Sequence, residues 1–115
     1  MIDAAAIVEI IALYKKHGWT LRRVLLSESL RKGLSTAGPD LFGEAEVTAA
    51  ELDAAWFSRS SRPNRTAWEI RHLSETPFAL VEVIEDETNA DDTSELFRDT
   101  ETKMIEMTAK RPRSN

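Results

Sequence analysis

Four arginines fall within a short stretch of the chain, at Arg59, Arg62, Arg65 and Arg71, interleaved with Trp56, Phe57 and Trp68. A guanidinium fork matches carboxylate and phosphate oxygens and stacks on indole rings. The stretch is therefore a candidate surface for an acidic protein partner, an anionic ligand or a nucleic acid. Arginines at a hairpin tip are otherwise simply solvated, and aromatics at strand spacing are more often core than stacking platforms. The net charge of −5 bears on the choice. Residues 1–80 hold 10 basic and 10 acidic side chains and residues 81–115 hold 5 and 10, so all the excess lies in the last third. Nonspecific nucleic-acid binding relies on neutralising phosphates, and this balance argues against it.

Other chemistries find less support. Glu69, Glu82 and His72 are the candidates for a small enzyme. In the strand register read below, the two carboxylates face each other, and facing carboxylates divide acid and base roles when their environments differ. The ordinary alternative is that Arg71 neutralises them on a wet sheet face. His17 and His72 are the two histidines and there is no cysteine, so a zinc site of the usual kind lacks ligands. Gly38 to Gly43 has the glycine spacing of a phosphate loop, but Glu44 and Ala45 stand where lysine and a hydroxyl are required. The acidic run 85–92 does not fit a calcium loop, with Asp91 at the glycine position and Phe97 at the bidentate glutamate. No catalytic residue, metal or cofactor is assigned.

The elements that must position these residues follow from spacing. Asp3 can cap a first helix whose Ile7, Ile10, Ile11 and Tyr14 form a stripe. Gly18 suits the left-handed position after it, which lets Trp19 pack back on Tyr14. Residues 19–27 fit either a strand or a poorly amphipathic helix. A strand is favoured, followed by a helical turn at 28–33. Residues 35–46 read as a loop, and Thr48 with Glu51 as a capping box that starts another helical turn. From Ala54 the pattern is β. A hairpin turns at Arg62-Pro63-Asn64-Arg65, and a second connection at 74–77 pairs Leu73 with Phe78.

That register sets Ile70 opposite Val81 and Trp68 opposite Val83. One face then collects Trp68, Ile70, His72, Ala79, Val81 and Val83 and should meet the helices. The other collects Glu69, Arg71, Leu73, Phe78, Leu80, Glu82 and Ile84. In the simplest hairpin Phe57 is core and Trp56 joins the mixed face; a one-residue bulge swaps them. Residues 85–92 form a solvated acidic linker, Asp92 and Glu95 can start a last helix with Leu96, Phe97, Met104 and Ile105 inward, and 110–115 should fray.

The expected fold is a single α+β domain over residues 1–115. It is a two-layer sandwich with a mostly antiparallel four-stranded sheet and both terminal helices packed on one face. No apolar run reaches the roughly 20 residues that span a bilayer, no secretory signal is evident, and the absence of cysteine fits a cytoplasmic setting. The leading functional expectation is a non-enzymatic binding or assembly module, plausibly a homodimer. Its interface would be the second sheet face, where Trp56, Phe78, Leu80 and Ile84 have no assigned cover.

Overall fold

A computed structural model describes residues 2–35 and 41–109. In chain order the elements are α1 (Ala4–Lys16), β1 (Thr20–Leu26), α2 (Glu28–Gly33), β2 (Glu46–Ala49), β3 (Ala54–Arg62), β4 (Arg65–His72), β5 (Ala79–Glu85) and α3 (Ala90–Ala109). The class is α+β, as expected, but the sheet has five strands in the order β2-β1-β3-β4-β5. β1 and β2 run parallel; the other neighbours are antiparallel.

α1 forms where the sequence places it. The Asp3 carboxylate accepts a hydrogen bond from the Ala6 N–H at 2.8 Å, satisfying one of the free donors of the first turn. At the other end His17 is the C-cap and Gly18 takes φ +86°. The Gly18 N–H donates to Lys15 and the Trp19 N–H to Tyr14, each at 3.0 Å, which is the Schellman pattern. Trp19 then meets Tyr14 edge-on at 6.1 Å. Residues 20–26 are a strand, and α2 starts at Ser27, whose hydroxyl caps the Leu30 N–H at 3.3 Å.

The extra strand overturns a capping-box reading. Residues 46–49 are β2, in register with Arg23–Leu26. The Ala50 N–H continues the pairing by donating to the Leu26 carbonyl at 3.0 Å. A four-residue ladder on an open strand edge outweighs a local preference for a helical turn. Likewise α3 begins earlier than Asp92. Asn89 accepts from the Asp92 N–H at 2.8 Å and donates back to the Asp92 carboxylate at 3.0 Å. β5 runs through Glu85, so the linker shrinks to residues 86–89. Residues 36–40 of the loop, with the first half of the glycine-spaced motif, and the 110–115 tail lie outside the described residues.

The terminal helices pack on opposite faces of the sheet, not on one. α1 supplies Ile7 and Ile11 to a core with Val24, Leu26, Ala55 and Phe57. α3 supplies Met104 to a second core with Leu25, Ala54, Trp56 and Ile70. β3 lies between them, with Trp56 2% and Phe57 0% exposed although they are consecutive. Alternation sends neighbours to opposite faces, so two buried neighbours require two covered faces.

A one-residue register difference explains the correction. In the structure Ile70 faces Leu80, Trp68 faces Glu82 and Glu69 faces Val81. Leu73 leaves the ladder: its N–H donates to the Asp53 carbonyl at 2.8 Å and its side chain joins the α1-side core. The His72 N–H bonds instead to the Phe78 carbonyl at 2.8 Å. A slip of one residue moves every side chain of β5 to the other face.

Burial separates the cores from the outer strands energetically. Met104 is fully buried, whereas Val83 is 53% exposed. Met104→Ala is expected to destabilise the fold by about 2–5 kcal/mol. Val83→Ala should cost less than about 1 kcal/mol, since little apolar area is lost from a half-exposed site. Urea unfolding followed by tryptophan fluorescence measures both.

Candidate functional site

The face under α3 is the one expected to lack a cover. Trp56, Phe97 and Trp68 form an aromatic cluster, with Phe97 centred 4.8 Å from Trp56 and 4.7 Å from Trp68. The indole N–H of Trp56 donates to the Glu101 carboxylate at 2.8 Å. Phe78 and Leu80 pack against this core, and Ile84 is buried. Trp56, Phe78, Leu80 and Ile84 thus belong to the α3-covered side and are not an open interface. The hairpin contains a register shift between Ser60 and Arg62. It sets Trp56 opposite Ile70 and Phe57 opposite Glu69, the alternative in which a bulge swaps the two aromatics.

The facing carboxylates are not brought together. Glu69 faces Val81 on the α1 side, and Glu82 faces Trp68 on the α3 side together with His72. The four arginines also part company. Arg59 donates to the His17 carbonyl at 3.0 Å and lies over the Trp19 ring at 4.6 Å. Arg65 pairs with Glu85 at 3.6 Å. Arg71 donates to the His72 carbonyl. Arg62 stays exposed at the tip, beside Asn64 with φ 65°. Arg59 in particular closes the C-terminal end of α1, where carbonyls point outward and a cation is favoured.

The open surface lies elsewhere, on the α1 side. α1 covers β1 and β3 and reaches β4 through Tyr14. Its ring stacks on Phe57 at 4.1 Å, and its hydroxyl donates to the Glu69 carboxylate. Beyond this contact the β5 row is open, while Ala67 of β4 stays buried. Val81 and Val83 are 54% and 53% exposed, and Leu13 on the outer side of α1 is 56% exposed. A cleft of about 940 Å³ runs from His17, Trp19 and Arg59 across Ala67 to Val81 and Val83. A smaller recess of about 460 Å³ adjoins it, between Leu13, Tyr14, Trp19, Arg59 and Glu69. β5 is also the last strand of the sheet, so its outer backbone edge has no strand partner among the described residues.

Sequence reasoning missed Val81 and Val83 as surface residues because the shifted register sent them to a helix-covered face. The available signal was Leu73: an apolar residue at the end of β4 that could leave the ladder to reach a core. Among the described residues, no group of three or more His, Asp or Glu is placed to hold a metal ion. No helix there is long and apolar enough to cross a membrane.

Tyr14 is the single tyrosine of the chain, so its titration reads the wall of the smaller recess directly. Burial pushes its phenol well above the ordinary value of 10.0; the hydrogen bond to Glu69 and that carboxylate's charge push the same way, against Arg71. The folded state holds the proton more tightly than the unfolded chain. The stabilisation is therefore complete below about pH 10 and is lost as pH rises through the folded value. Phenolate absorbance is expected to appear only far above pH 10, coincident with unfolding. In Glu69→Gln it should appear at lower pH but still above the free-phenol range, because burial remains. Titration of the wild type near 10 would contradict the geometry. In comparison with known proteins, no family model, curated protein or solved structure matches this chain.

Proposed function

We propose that the chain is a non-enzymatic protein-binding module whose docking surface is the open half of the α1-side sheet face, ending at the free edge of β5. The observation that carries this reading is the pairing of half-exposed Val81 and Val83 with an unpaired strand edge. An extended segment that adds to such an edge gains backbone hydrogen bonds, and alternate side chains meet the exposed face. Apolar partner side chains would rest on Val81 and Val83. A carboxylate at the far end of the cleft would meet Arg59, which has no acidic partner among the described residues.

The opposite face supports the choice of side. There β1 and the edge strand β2 carry Arg23 and Glu46, paired at 3.3 Å. That strip suits water, whereas the β5 strip on the α1 side does not. A chain without cysteine fits a reducing, cytoplasmic setting for this binding.

A photoreactive amino acid placed at position 81 in living cells tests the reading, with position 28 on exposed α2 as control. A discrete covalent protein adduct is expected from position 81 and none from position 28. No adduct at 81, or the same products from both positions, would remove the proposal.

A further inference from the structure

We infer that the occupant of the β5 edge is a second copy of this chain, added antiparallel about a two-fold axis at Val81, so that two five-stranded sheets become one continuous sheet. The inference rests on the protein-binding reading above and names its partner.

The argument starts from the edge itself. Residues 79–85 contain no proline, lysine or strand irregularity, the devices that commonly keep an edge strand from pairing. An antiparallel edge is complementary to its own copy, because rotation by half a turn sets N–H groups opposite carbonyls. A two-fold perpendicular to the sheet also keeps the α1 side continuous with the α1 side.

Side chains then select the register. With the axis at Val81, the two Val81 side chains meet and each Val83 lies beside Ala79 of the other copy, all on the open α1 side. On the α3 side Glu82 lies beside Leu80 of the other copy, and Phe78 beside Ile84. With the axis at Glu82 the two glutamates would face each other, which is unfavourable. With the axis at Val83, Glu85 and Asp86 would be drawn against Val81 and Leu80. With the axis at Leu80, Pro77, which has no N–H to give, would sit opposite Val83 and cut into the ladder, whereas in the Val81 register it meets only Glu85, the last residue of the strand. The Val81 register keeps like charges apart, sets the two Val81 side chains against each other and covers each Val83 with Ala79.

The test uses the purified full chain. Its mass in sedimentation equilibrium should rise from 13.0 kDa towards twice that value between about 1 µM and about 1 mM, the range of weak specific pairs. Val83→Glu, folded by circular dichroism, should weaken the association at least about tenfold by setting a charge into the apolar row. The chain has no cysteine, so Val81→Cys introduces a single thiol. Residues facing each other across an antiparallel pair lie about 4.5–5.5 Å apart, within disulfide range. Val81→Cys should therefore oxidise to a covalent dimer much faster than Val47→Cys on the opposite edge strand. A monomer throughout that range overturns the inference. So does a dimer that tolerates Val83→Glu and oxidises no faster at 81 than at 47. If the photo-adduct at position 81 carries a different protein, the second copy is ruled out while the binding reading stands. If position 81 gives no adduct and the chain is monomeric, both fall.

Discussion

The structure depends on β3 being covered from both sides. Trp56 and Phe57 are adjacent in sequence and both nearly inaccessible, one in each core. A strand with large apolar residues at consecutive positions cannot bury them under a single layer, since alternation sends one of them outward. Two helices on opposite faces resolve this. The remaining layout follows, with β1 and β4 flanking β3 as neighbours and the more exposed β2 and β5 at the edges.

The register of β4 and β5 distributes side chains between those two cores. Leu73 is tied to Asp53 by its backbone and to the α1-side core by its side chain, so the connection to β5 runs longer than the tightest turn allows. Leu80 thereby packs on the α3-side core and Ile84 is buried on the same face, while Val81 and Val83 are left on the side where α1 does not cover them. Tyr14 marks the limit of that reach. Its ring lies on Phe57 and its hydroxyl on Glu69, so a buried stack and a charged hydrogen bond together fix where helix cover ends and open sheet begins.

What could be read from the sequence was local. The cap at Asp3, the turn at Gly18, the return of Trp19 to Tyr14 and the strand at 20–26 depend on residues close together in the chain. The hairpin at 62–65 was legible for the same reason, including the possibility of a bulge. The misread parts depend on distant partners. β2 exists because β1 offers an edge, and nothing within Glu46–Ala49 announces a parallel neighbour. The opposite placement of the helices, and with it the loss of the Trp56–Ile84 interface and of the Glu69–Glu82 pair, followed from one residue of register. That residue was decided by the pull of Leu73 into a core. The arginine stretch shows the same limit, because Arg59 is drawn to the end of α1 and Arg65 to Glu85, contacts set by the fold and not by their spacing.

Geometry also explains why an open strip exists at all. Five strands about 4.8 Å apart span about 19 Å between the outer strands, and one helix with its side chains is about 10–12 Å wide. A single helix on each face therefore leaves part of that face bare. On the α3 side the open part carries the Arg23–Glu46 ion pair of β1 and β2. On the α1 side it lies over β4 and β5, and its outermost row is Val81 and Val83, next to a free edge. A strip left bare by geometry alone would be expected to turn polar, as the first has done. The second has kept an apolar row at one of the sheet's two edges, where another strand can join, and this asymmetry supports the proposed docking there.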